Sequence, residues 1–240
     1  MRDRVKTAAF RGTTHVAAVL DRSGSMEVVI DETRRSYNQW LAETKKASQG
    51  QDVLFSCKIF DDRIDYIHEN VQIRSARKLA TYNYFARGMT ALNDAFGGEI
   101  LRLKDLVGKK DRALILVMTD GLENASREIS SSRLSDLIQK AEERPNWTIQ
   151  YIGANQDAFA VGRAMGMRSS ARITRHQNAE GTQSAFAAVG ASTTSYLGGI
   201  HMKAANLNQE DYDVAYAVAS GMDPETIARL QKAAKKAQNG

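Results

Sequence analysis

The segment Arg112-Ala113-Leu114-Ile115-Leu116-Val117-Met118-Thr119-Asp120-Gly121 holds the longest clean apolar run in the chain, Ala113 to Met118. Successive apolar residues with no polar break describe a strand covered on both faces, as in a parallel sheet between helices. The run stops at Thr119-Asp120-Gly121, a polar turn with a carboxylate at its centre. It is far shorter than the roughly 20 apolar residues that a membrane span needs.

Outward from this strand the chain alternates. Upstream, Thr14 to Leu20 is a second near-continuous apolar strand, ending in Asp21-Arg22-Ser23-Gly24-Ser25. Val29, Thr33, Tyr37, Trp40, Leu41 and Thr44 then recur at helical spacing. Asp52 to Phe60 reads as a strand, and Ile64 to His68 as its hairpin partner across Asp61-Asp62-Arg63, a turn expected to be solvated. A polar, irregular stretch, 72–90, leads into a helix from Ala91 to Val107. Downstream come a helix over 130–143, a strand over 147–152, a short helix over 157–165, a short strand over 171–173 and an Ala-rich helix over 181–196. Strands alternating with helices predict an α/β fold: a Rossmann-like, doubly wound, mostly parallel sheet with one antiparallel edge strand. Two short helices, 210–220 and 224–238, add a C-terminal helical extension, with Asp223 and Pro224 suited to a cap and a first helical position. The reading divides the chain into an N-terminal arm (1–12), a main domain (13–197) and a C-terminal helical hairpin (198–240).

In such sheets ligands bind beyond the carboxyl ends of the strands. The first strand delivers Asp21, Ser23 and Ser25 there, and the strand quoted first delivers Asp120. Thr90 stands just before the second long helix, in Gly88-Met89-Thr90-Ala91-Leu92. Two carboxylates and three hydroxyls form an all-oxygen set, the donor type that hard divalent cations prefer.

Asp-Arg-Ser-Gly-Ser after a buried strand, a distant Gly-Met-Thr-Ala-Leu, and Met-Thr-Asp-Gly closing another strand resemble the von Willebrand factor A (VWA) domain. The resemblance spans about 13–196, and the sequences around Asp120 and Tyr151 look like the stand-alone VWA proteins of bacteria and their phages. The family's metal-ion-dependent adhesion site (MIDAS) uses Asp-x-Ser-x-Ser, a Thr and an Asp. The resemblance therefore implies that Asp21, Ser23, Ser25, Thr90 and Asp120 hold Mg²⁺, or Mn²⁺ or Ca²⁺. It implies binding rather than catalysis: the metal accepts an exposed Asp or Glu of a protein partner. Glu27, Arg87, Glu123, Asn155 and Asp157 are candidate rim residues. Asp94, one turn beyond Thr90, is read as a helix-surface or capping residue.

The remaining composition is that of a globular protein: 240 residues, 42% hydrophobic and 25% charged. Its single cysteine, Cys57, lies in an alternating strand, is expected to be buried, and cannot form an internal disulfide. No apolar stretch follows the N-terminal charges, so no signal peptide is read and a cytoplasmic, membrane-free protein is expected. No nucleophile elbow, phosphate loop or dinucleotide fingerprint is present, so no enzyme is expected.

The net charge is +5. It concentrates in 72–112, with nine basic residues against four acidic ones, and in 158–179, with four arginines and no acid. The expectation is that both stretches flank the metal and steer an acidic partner to it. Nucleic-acid association through these patches, or a structural place in a virion or other large assembly, is the alternative, and a homo-oligomer is a further partner state.

Overall fold

The computed structural model describes residues 10–154, 158–167, 171–198 and 209–238. Six strands form one sheet: β1 (Thr14–Asp21), β2 (Val53–Phe60), β3 (Ile64–Gln72), β4 (Arg112–Thr119), β5 (Trp147–Ala154) and β6 (Ala171–Arg175), in the order β3-β2-β1-β4-β5-β6. β1 pairs with β2 and β4 in parallel, β4 with β5 and β5 with β6 likewise, and only β3 runs antiparallel, at the edge. The seven helices among the described residues are α1 (Ile30–Ala47), α2 (Leu92–Leu106), α3 (Ser131–Glu142), α4 (Ala158–Ala164), α5 (Ala179–Leu197), α6 (Gln209–Ala219) and α7 (Pro224–Gln238). The fold is therefore a mostly parallel, mixed α/β sheet with helices on both faces.

The alternation of side chains along each strand splits the apolar runs between two cores. Val16, Ala18 and Leu20 of β1, with Leu114, Leu116 and Met118 of β4, face α1 and α5. Ala17, Val19, Ala113, Ile115 and Val117 face α2 and α3. Both faces are dry, which is why neither strand shows a polar alternation. α5 is pinned to the first core by the Trp40 Nε1–H donating to Thr193 Oγ1 (3.2 Å). Cys57 lies buried in that same core. No helix among the described residues is long and apolar enough to cross a membrane.

Several basic residues are consumed inside the fold. Glu99 of α2 is fully buried and receives Lys58 Nζ (3.0 Å), Arg102 Nη2 (2.5 Å) and the Tyr66 hydroxyl (2.7 Å). These partners hold its carboxyl below the usual range despite burial. Arg112 is buried at the start of β4, where it donates to Thr14 Oγ1 (2.9 Å) and to the Tyr196 carbonyl (2.9 Å) at the end of α5. A cation at a helix C-terminus meets carbonyls that lack intrahelical partners.

For 72–112 this placement corrects the charge expectation; in 158–179, Arg175 does stand at the carboxyl end of β6, within electrostatic reach of Asp120, and Arg168 lies outside the described residues. Lys104 is in the last turn of α2, Lys109, Lys110 and Arg112 lead into β4, and Arg74 follows the end of β3 paired with Leu54. All five lie at the amino ends of the central strands, the opposite side of the sheet from the candidate site. Arg77 and Lys78 lie on the return segment, beside His68 and the middle of α1. A helix of α2's length spans about 22 Å, so sequence proximity to Thr90 did not mean proximity in space.

Candidate metal centre

Three loops meet beyond the carboxyl ends of β1 and β4. The first follows β1 directly and turns through a 3₁₀ segment, Gly24–Val29. Its backbone is tied to the second loop, which precedes α2: the Arg87 N–H donates to the Arg22 carbonyl (2.8 Å) and the Gly24 N–H to the Gly88 carbonyl (3.1 Å). Gly88 has φ +67°, and a Cβ there would fall 2.1 Å from Asp62 Oδ1, so the close approach requires glycine. The third loop follows β4, and its Asn124 and Ala125 N–H groups both donate to the Thr90 carbonyl (3.0 and 3.2 Å).

The oxygens converge. The Ser23 and Ser25 hydroxyls are 3.1 Å apart, and Ser25 Oγ–H donates to Asp120 Oδ1 (2.7 Å). Asp21 is fully buried, receives the Ser23 N–H on Oδ1 (2.7 Å) and the Thr119 hydroxyl on Oδ2 (2.5 Å). Thr90 and Ser25 flank Gly121: a Cβ at Gly121 would lie 2.8 Å from Thr90 Oγ1 and 3.6 Å from Ser25 Oγ. The missing side chain leaves the cradle open. All five residues of the oxygen set are thus brought to one end of the sheet.

Burial pushes the Asp21 carboxyl up to about 6, against the opposing hydrogen bonds from Thr119 and Ser23, and the nearby Asp120 charge adds to the rise. Asp120 is raised as well, again chiefly by burial. Arg175, at the end of β6, is the buried cation that both carboxylates feel. Among the described residues its guanidinium donates to Thr182 Oγ1 (3.1 Å) and the His176 carbonyl (3.2 Å), with a long contact to Met26 Sδ, and its Nε–H has no hydrogen-bond partner. Among these residues neither carboxylate of the site has a direct ion pair. Among the described residues no three His, Cys, Asp or Glu side chains cluster as a metal-binding group. The donors here are instead hydroxyl-rich, a chemistry that suits a hard cation.

The rim differs from the sequence expectation. Arg87 is not free: its Nε–H donates to Asp61 Oδ2 (2.5 Å), while Arg22 donates to the same oxygen (2.9 Å) and to Asp65. Asp61 is wholly buried and paired with both arginines, whereas Asp62, Arg63 and Asp65 of the same hairpin are exposed, so the expected solvated turn fails at Asp61 alone. Glu123 is spent on backbone: it receives the N–H groups of Asn93 at the start of α2 and of Ala125 and Ser126. Asp94 caps the third loop, taking the N–H groups of Arg127, Glu128 and Ile129. Glu27 is exposed on the first loop. Asn155 and Asp157 lie outside the described residues.

Two neighbours of the site were not legible. Gln177, just beyond β6, donates to Asp120 Oδ2 (2.5 Å) and to the Ser25 carbonyl (3.1 Å). It is placed by its flanks: the His176 N–H donates to the Tyr212 hydroxyl of α6 (2.8 Å), and the His176 ring stacks on Tyr216. Tyr84 donates to the Asp21 carbonyl (2.5 Å) from the irregular loop. Nothing in the sequence near either residue signals the contact.

No protein-family model and no curated protein matches the sequence. Solved structures do match in shape. VWA2, the ArnB paralog of Sulfolobus acidocaldarius, superposes with a TM-score of 0.51 at 16% identity, over 75% of this chain and 46% of its own. A von Willebrand factor type A protein from Catenulispora acidiphila gives 0.57 at 15% identity, over 77% and 43%. The chain has a VWA-like fold. The proximal thread matrix protein 1 of the mussel byssus, solved with a zinc-occupied MIDAS motif, gives a TM-score of 0.53 at 16% identity, over 80% of this chain and 47% of its own. This chain spans less than half the length of each of the three.

Proposed function

We propose that this VWA-like chain is a metal-dependent protein-binding module, without a reaction of its own. Asp21, Ser23, Ser25, Thr90 and Asp120 would hold a divalent cation, Mg²⁺ before Mn²⁺ or Ca²⁺, and an Asp or Glu of a partner protein would complete its ligands. The observation that supports this is the convergence of five oxygen-bearing side chains on a cradle kept open by Gly121, two of them carboxylates with raised pKa, Asp21 fully and Asp120 partly buried. A bound cation would neutralise those carboxylates and offer an anionic oxygen a remaining coordination position. The chain's own residues do the rest: Thr119 and the Ser23 N–H orient Asp21, and Gln177 and Ser25 orient Asp120. The zinc-occupied site of the mussel protein supports the same reading by analogy of fold.

Calorimetric titration of Mg²⁺ and Mn²⁺ into the full chain tests it. Wild-type protein should take up one ion, and Asp21→Ala and Asp120→Ala should take up none while retaining the far-UV circular dichroism of the fold. No uptake by the wild type at millimolar metal overturns the proposal. A partner captured in Mg²⁺ and released by EDTA would extend it.

A further inference from the structure

Resting on the metal-dependent reading above, we propose that the surface surrounding the cation selects a single Asp or Glu set among bulky apolar side chains, rather than an acidic patch. The observation is the distribution of exposed apolar groups. Nine large hydrophobic residues are exposed among the described residues, and five of them, Val28, Ile64, Phe85, Met89 and Leu122, belong to the loops at the carboxyl ends of the strands. Met89 (53% exposed) adjoins Thr90, Leu122 (67%) stands two residues after Asp120, and Val28 (73%) three after Ser25. Backbone bonds tie the segments that carry them: Arg87 N–H to the Arg22 carbonyl and Gly24 N–H to the Gly88 carbonyl join the first two loops, Asn124 N–H to the Thr90 carbonyl joins the third, and Ala91 N–H to the Asp61 carbonyl joins the hairpin turn before Ile64. Apolar surface gathered at one place marks an interaction site more strongly than scattered residues do.

The charges around the opening strengthen the case. Arg22 and Arg87 are neutralised by Asp61 and Asp65, and Glu123 and Asp94 are occupied by backbone N–H groups. The sequence's basic stretch leads away to the opposite end of the sheet. Among the described residues, the other exposed basic groups on these loops, Arg63 and Arg127, each stand next to an exposed acid, Asp62 and Glu128, so they add no net charge, and the exposed Glu27 would repel a second carboxylate. The net positive charge at the opening would thus come from the cation, so one carboxylate is complementary at the centre. Around it the matching chemistry is apolar, where desolvation both adds binding energy and strengthens the central ion contact.

The test is a selection from a displayed library of a folded scaffold with one randomised, constrained loop. The full-length protein is immobilised in Mg²⁺, and bound phage are eluted with EDTA. The expected loops carry one Asp or Glu with Leu, Ile, Phe, Met or Trp beside it. A purified loop binder should lose affinity about tenfold or more on the Val28→Ser, Leu122→Ser double variant, whose calorimetric Mg²⁺ affinity should equal that of the wild type. Loops with several acids, or an acid among basic or polar residues, overturn the inference. So does unchanged binding by the double variant, or no enrichment on a protein that calorimetry shows to bind Mg²⁺. Mg²⁺-dependent self-association in sedimentation, abolished by the double variant, would overturn it in favour of a second copy as the occupant. A wild type that takes up no Mg²⁺ brings down the parent reading instead, and is recognised separately by the calorimetry.

Discussion

Asp21→Asn should make the metal-free protein more stable while removing its response to metal. Asp21 is fully buried, and its carboxyl rises from 3.8 to about 6. That is about 2 pK units, and at about 1.4 kcal/mol each the charged form costs the fold about 3 kcal/mol at pH 7. Asparagine removes the charge and keeps the shape. Its carbonyl still accepts the Ser23 N–H. Its amide can donate to Thr119 Oγ1, whose proton can turn to the Gly121 carbonyl, already 3.2 Å away. Exchanging a charge-assisted bond for a neutral one returns about 1 kcal/mol of the gain. The net is about 2 kcal/mol, or about 4–8 °C in Tm for a chain of this size. Because the folded pKa lies above the unfolded one, Asp21 favours the fold fully below about pH 4, and that contribution is lost as pH rises through about 6. Thermal melts in EDTA should therefore show the wild type gaining on the variant between pH 7 and pH 5. Saturating Mg²⁺ should raise the wild-type Tm and leave the variant unmoved. A variant no more stable than wild type in EDTA would refute the electrostatic argument, and a preserved Mg²⁺ shift would refute the ligand assignment.

Gly121→Ala would drive a methyl against Thr90 Oγ1, and a loss of about tenfold or more in Mg²⁺ affinity (about 1.4 kcal/mol) should appear by calorimetry with little change in Tm. Gln177→Glu sets a new carboxylate against Asp120, so the metal-free protein should lose about 1–2 kcal/mol at pH 7, and melts should show a larger Mg²⁺-induced rise than in wild type. Glu99→Gln leaves the buried Lys58 without its carboxylate and should cost about 3 kcal/mol in denaturant unfolding, with Mg²⁺ affinity unchanged.

Much of the architecture was legible because it rests on local pattern. Ala113 to Met118 could only be a doubly covered strand, and the hairpin at Asp61-Asp62-Arg63 announced the antiparallel edge. β3 nonetheless runs on to Gln72, past the stretch whose alternation is clean. The oxygen set was legible for a related reason: each member directly follows a strand or precedes a helix, so its end of the sheet is fixed by topology. What was hidden depends on distance. Arg22 reads as a turn residue, yet it is buried because Asp61, far along the chain, folds beneath it. Glu123 reads as a rim acid because composition does not show which backbone N–H groups lack partners, whereas Asp94 does serve in the capping role read for it, on the third loop. Gln177 reaches Asp120 across 57 positions, and only the docking of α6 on His176 explains its place.

The candidate ligands are also far apart along the chain: Ser25 and Asp120 by 95 positions, Asp21 and its partner Thr119 by 98. No unfolded or locally folded segment can bring them together, because they meet only when β1 and β4 lie side by side. Such non-local parallel pairing carries a loop-closure cost that slows folding. A cation that needs all three loops in their final arrangement would bind the native state alone, so it would chiefly slow unfolding. Metal would act on this chain as a lock on the finished sheet, lengthening the lifetime of the native state without hastening its arrival.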